Sequence, residues 1–95
     1  MICHTVLWRL KDPRDAETFR AELMRCREIV AGTRRYDVGL ARDGLPGNVD
    51  VALVAWFDDL AALEAYLQHP QHQAVSLRIG PMRSERHVLD FEIAA

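Results

Sequence analysis

The chain has 95 residues, of which 49% are hydrophobic and 27% charged, and a formal net charge of −2. That balance suits one globular domain over residues 1–95, and the lack of any basic stripe interleaved with aromatics excludes a nucleic-acid partner. No apolar run approaches the ~20 residues that span a bilayer, and Met1 leads into strand-like sequence rather than a signal peptide, so the expectation is a cytoplasmic protein with no membrane partner.

Residues 2–10 alternate as a strand: Ile2, His4, Val6, Trp8 and Leu10 share one face, with Cys3, Thr5, Leu7 and Arg9 on the other. Both faces carry apolar side chains, so both should be covered. Asp12-Pro13 is a helix start, with an N-cap carboxylate and a proline at the first helical position. Ala16, Phe19, Leu23, Cys26 and Val30 then recur at spacings of three and four as an apolar stripe. The pattern predicts a helix running to a left-handed cap at Gly32. Cys3 and Cys26 both fall at positions expected to be buried and form neither a disulfide framework nor a CxxC site.

A second strand is expected over 34–42, with Tyr36, Val38 and Leu40 on one face. A loop rich in Gly, Pro and Asn follows over 43–48. Gly44 and Gly47 do not make a phosphate cradle, because the Lys and Ser/Thr of such a loop are missing and a strand follows. Residues 49–57 form an almost wholly apolar strand, expected at the centre of its sheet. Asp58-Asp59 caps a helix carrying Leu60, Leu63, Tyr66 and Leu67 on one face. Pro70 must break that helix, because it lacks an amide proton and disfavours helical geometry at His69. A short helix follows, closed by Gly80-Pro81, and 85–93 is a final strand with His87, Leu89, Phe91 and Ile93 on one face.

Strand, helix, strand, strand, broken helix and strand, joined by right-handed crossovers, give an α+β ferredoxin-like sandwich: a four-stranded antiparallel sheet with its helices on one face. Leu7 and Val54 point to the opposite, uncovered face. A domain this small buries only ~60–65% of its unfolded surface. A homodimer packed through the open sheet face, closing a dimeric α/β barrel, is therefore expected.

Several blocks resemble the stress-responsive A/B barrel, or Dabb, family. They are Met1-Ile2-Cys3-His4-Thr5-Val6-Leu7, Val51-Ala52-Leu53-Val54 with Trp56-Phe57-Asp58, the run from Leu60 through Tyr66, His69, Pro70 and His72 to Ala74, and Val88-Leu89-Asp90-Phe91. The resemblance implies a ferredoxin-like monomer and a barrel-forming homodimer. It also includes plant polyketide cyclases that close a linear polyketide by aldol condensation without metal or cofactor. By that likeness His4, Tyr66 and His72 occupy the pocket, with His72 as the catalytic histidine. Val51 and Cys26 stand where such a cyclase has a histidine and a tyrosine.

The residues permit two readings of this cluster. An imidazole titrates near neutral pH, so His72 could take a proton from carbon while Tyr66 steadies the resulting enolate oxygen and His4 adds a second polar contact. Alternatively, Tyr66 completes an apolar stripe, His72 caps a helix and His4 is a hydrogen-bonded core residue. His69 reads as a boundary residue and His87 as a packing or rim residue. No haem ligand, zinc spacing or other cofactor motif stands out, so neither cofactor nor metal is expected. Trp8 and Trp56 read as packing residues, with Trp8 also able to wall a pocket beside His4. Arg34, Arg35, Arg83 and Arg86 read as solvated charge, though an arginine at a pocket mouth could hold an acidic ligand. The expected function is binding of a small hydrophobic or aromatic ligand between sheet and helices, with cyclase-like proton transfer as its enzymatic form. The alternatives are a non-catalytic stress-responsive dimer and a dimeric ferredoxin-like monooxygenase.

Overall fold

The computed structural model describes residues 1–94. The elements in chain order are β1 (Ile2–Leu10), a 3-10 turn (Pro13–Asp15), α1 (Ala16–Met24), β2 (Thr33–Leu40), β3 (Val51–Phe57), α2 (Leu60–Gln68), α3 (Pro70–Ile79), a second 3-10 turn (Gly80–Met82) and β4 (Arg83–Glu92). The strands form one antiparallel sheet in the order β2-β3-β1-β4. This is the ferredoxin-like topology, with β1 and β3 central as their two-sided apolar character required.

The core lies between the sheet and the helices. Val6, Trp8 and Leu10 from β1, Tyr36 and Val38 from β2, and Leu53, Ala55 and Phe57 from β3 pack against Phe19 and Leu23 of α1, Leu63 and Tyr66 of α2, and Val75 and Ile79 of α3. Trp8 meets Phe19 edge-on, their rings 5.1 Å apart. Burial of each such large side chain is worth roughly 1.5–3 kcal/mol. Among the described residues no helix is long and apolar enough to cross a membrane.

The first helix ends earlier than its stripe predicts. After Met24 the amides of Arg25, Cys26 and Arg27 bond to the carbonyls three residues back, so the chain tightens into turns. Cys26 remains buried, and Ile29 and Val30 still pack on the core, so the apolar spacing outlasts the α-helix. Gly32 does not have a left-handed backbone; among the described residues only Gly44 has a positive φ. Gly32 instead allows close approach, since a Cβ there would lie 2.8 Å from the Cβ of Ala62 on α2. Leu60, expected on the apolar face of its helix with Leu63 and Tyr66, is instead 59% exposed.

The open face carries Cys3, Thr5 and Leu7 from β1, Ala52, Val54 and Trp56 from β3, and His87, Leu89 and Phe91 from β4. Every residue of β4 is exposed, including those on its helix-facing side. Cover over the sheet therefore stops at β1, which leaves the β4 edge open above and below.

Candidate functional site

The break between the second and third helices is built as the sequence requires. Asp59 caps α2 by accepting from the Ala62 amide at 2.9 Å. Pro70 leaves His69 extended, at φ −62° and ψ 135°. The His69 amide then closes α2 on the Tyr66 carbonyl, while its Nδ1 accepts from the Gln71 amide at 3.0 Å to open α3. His69, rather than His72, is thus the cap, and it does not join the other two histidines.

His4, Tyr66 and His72 are brought together. Tyr66 lies between the two imidazoles, its ring centroid 5.9 Å from His4 and 4.7 Å from His72. They line a cavity of about 200 Å³ with Trp8, Leu53, Val75, Ile79, Ser76, Arg83 and Arg86 among its walls. Val51 and Cys26 are buried in the core but do not line it.

The hydrogen bonds fix which atoms remain free. A carbonyl oxygen only accepts, so His72 Nδ1 donates to Leu67 O at 3.1 Å and its Nε2 carries the lone pair. Burial lowers the His72 pKa, against the opposing pull of the Leu67 carbonyl, and the nearby His4 and Arg86 lower it further. The ring is therefore neutral at pH 7. His4 is 2% exposed and donates through Nδ1 to Asp90 Oδ1 at 2.5 Å, leaving its Nε2 uncommitted. Tyr36 donates to the Leu23 carbonyl at 2.8 Å, so the 2.9 Å contact between the two phenols has Tyr66 as donor and Tyr36 as acceptor. Burial raises both phenol pKa values and keeps them neutral. Burial also pushes the Cys26 thiol up to about 11, so it is not a ready nucleophile.

Asp90 and Tyr36 are the members of this network that sequence reasoning did not assign. Tyr36 carried a signal, since a phenol on a strand's core face needs a partner for its hydroxyl. Asp90 carried none before its register was known: it comes from the far end of the chain and pairs with His4 only when β4 adds beside β1. Among the described residues no group of three or more His, Cys, Asp or Glu side chains is placed to hold a metal ion.

A helix-backed antiparallel sheet enclosing an imidazole- and phenol-lined cavity places this protein among the ferredoxin-like α+β proteins with an interlayer pocket. Residues 2–93 match the stress responsive A/B barrel domain, and the chain belongs to that family, Dabb. Among solved structures it is similar to a dimeric ferredoxin-like protein of unknown function from Thermobifida fusca YX, at 29% identity over 97% of this chain and 90% of the other, with a TM-score of 0.86. A Dabb family protein from Mesorhizobium loti is 21% identical over 99% of this chain and 97% of its own, with a TM-score of 0.80. A hydroxynitrile lyase from Passiflora edulis is 17% identical over 98% and 93%, also with a TM-score of 0.80. At those last two identities the likeness is one of fold. No curated protein matches the chain in sequence.

Proposed function

We propose that the protein binds a small aromatic or hydrophobic carbonyl compound in the interlayer cavity and transfers a proton on it without a cofactor. The observation that supports this most is the state of His72: a neutral imidazole, oriented by Leu67, with its Nε2 lone pair uncommitted at the cavity. In this reading Nε2 removes a proton from the carbon beside the carbonyl, and the C–H electron pair moves onto the carbonyl oxygen. Tyr66 steadies that oxygen by turning its hydroxyl away from Tyr36, at a cost of about 1 kcal/mol for the hydrogen bond given up. His4, oriented by Asp90, offers a second polar contact. The enolate then either recovers the proton or attacks a second carbonyl, as in an aldol closure.

The size of the cavity narrows the ligand. A dry protein cavity of about 150 Å³ accepts benzene, so about 200 Å³ suits one substituted ring better than a long polyketide chain. Hydroxynitrile lyase chemistry on this fold is compatible with a small carbonyl compound but does not identify it. The proposed assembly is a homodimer through the open face, supported by the dimeric relatives and by exposed Leu89 and Phe91.

The test is proton exchange on acetophenone in heavy water, followed by NMR. Folded protein should exchange the methyl protons faster than buffer does, and His72→Gln should remove about a hundredfold of that rate. Exchange that is no faster with wild type than with His72→Gln sinks the proton-transfer reading. It would favour a second reading, a non-catalytic dimer, for which the commitment of the Tyr66 hydroxyl to Tyr36 speaks.

A further inference from the structure

The cavity and the uncovered side of β4 meet at one edge. Arg86, Val88 and Asp90 stand opposite Trp8, Val6 and His4. Their β1 partners are buried, whereas they themselves are exposed. The only arginines lining the cavity, Arg83 and Arg86, both come from the start of β4.

Those two guanidiniums differ from most of their kind in this protein. Arg9, Arg14, Arg34, Arg35 and Arg78 each engage a carboxylate. Among the described residues, Arg83 and Arg86 have no such ion pair and no side-chain hydrogen bond. Glu85, beside Arg86 in the strand, is paired with Arg9, and Asp90, further along it, is turned to His4. Partial burial is the largest influence on Arg86 and holds it below the ordinary guanidinium range; Arg83 pushes the same way and Asp90 opposes. Charges on an edge strand also discourage sheet-to-sheet aggregation, but that role does not require two cations to border an apolar cavity.

We infer that the ligand of this cavity is an acid: a small aromatic or unsaturated carboxylate held by the Arg86 guanidinium, with Arg83 beside it. The apolar body then lies against Trp8, Leu53 and Ile79, within reach of His72. A planar guanidinium offers a carboxylate two parallel N–H donors, which fixes orientation as well as charge. Asp90 is turned to His4 rather than to Arg86, so the Arg86 N–H donors stay free for a ligand carboxylate. This inference rests on the interlayer cavity being the ligand site.

Benzoate and its neutral isostere benzamide separate the two ideas when titrated into the full chain at low salt, where exposed charges are least screened. The readouts are calorimetry and the NMR signals of the Trp8 indole and His72 ring. Benzoate should bind at least about tenfold more tightly than benzamide and shift both signals. That preference should vanish in Arg86→Gln, survive in part in Arg86→Lys, and be unchanged in Arg20→Gln, which lies on α1 away from the cavity. Equal binding of both probes with both signals shifted would overturn the acid while leaving the cavity reading intact. Benzoate binding that survives the Arg83→Gln, Arg86→Gln pair would also overturn it. If neither probe moves the Trp8 and His72 signals, the cavity reading falls as well.

Discussion

Asp90 stands directly across the β1–β4 pairing from His4, and its Oδ1 lies 2.5 Å from the imidazole Nδ1. The bond joins residues near opposite ends of the chain and fixes the one nearly buried histidine. Charge-assisted hydrogen bonds contribute about 1.5–3 kcal/mol, but Asp90 is 36% exposed and solvent weakens its share. A double-mutant cycle of His4→Gln and Asp90→Asn, followed by urea unfolding at pH 7, should therefore give a coupling of about 1 kcal/mol. A coupling indistinguishable from zero would make the pair a surface contact with no part in holding the ring.

The two phenols should be unequal in stability. Tyr36 donates to Leu23 and accepts from Tyr66, whereas Tyr66 has only the bond between them. Tyr36→Phe strands the Tyr66 hydroxyl and takes one donor from the Leu23 carbonyl, which keeps the Cys26 amide, and should cost about 2 kcal/mol. Tyr66→Phe should cost about 1 kcal/mol. Equal costs would mean the chain of hydrogen bonds does not run in this direction.

Their titration provides a separate check, because Tyr36 and Tyr66 are the only tyrosines in the sequence. Burial raises both pKa values above the ordinary phenol value. The unfolded chain thus releases protons near pH 10 that the folded one keeps. The stabilisation is complete below that pH and is lost as pH rises past it. Absorbance at the phenolate band should stay flat near pH 10 and rise only together with loss of the circular dichroism signal. A phenolate signal appearing in folded protein near pH 10 would contradict the burial.

What the sequence discloses follows from how local each cause is. Alternation placed His4 with Val6 and Trp8, and Pro70 alone sufficed to break the helix at His69, whereas the capping role of His69 in place of His72 rests on its Nδ1 meeting the Gln71 amide. Helical spacing placed Tyr66 on the core, but its meeting with His4 and His72 in one pocket came from what the family resemblance implied. The end of α1 was hidden, because an apolar stripe at spacings of three and four suits 3-10 turns as well as an α-helix. Asp90 was hidden for another reason: the exposed β4 has no buried face from which to read its register. Arg83 and Arg86 were visible as charge, while their lack of carboxylate partners depends on Glu85 pairing with Arg9 and Asp90 turning to His4.

The open face should hold two copies together. Thr5, Val54 and Leu89 form a row across β1, β3 and β4, with Leu89 63% exposed. In an isologous interface one substitution appears twice, so Leu89→Glu puts two charges into the same apolar contact. Sedimentation at about 50 µM should give a dimer for wild type and a monomer for Leu89→Glu, with the circular dichroism spectrum retained, since nothing in the monomer core needs Leu89. A Leu89→Glu dimer of unchanged strength would place the interface elsewhere.

Gly32 should resist even a methyl group, for reasons of space rather than backbone angle. A Cβ there would sit 2.8 Å from the Ala62 Cβ, and neither partner has a flexible tip that can swing aside. The Gly32 carbonyl also accepts from the Asp58 amide at 3.0 Å, just before α2, so the two segments cannot separate freely. Overpacking of this kind costs roughly 1–3 kcal/mol, and Gly32→Ala should lower the urea midpoint accordingly. The distinguishing measurement is the pair Gly32→Ala, Ala62→Gly. Ala62→Gly alone should cost about 1 kcal/mol as a glycine within a helix. In the Gly32→Ala background it should instead be neutral or restore stability, because the missing methyl on α2 makes room for the one added at Gly32. Simple additivity of the two losses would show that the approach of α2 does not set the identity of residue 32.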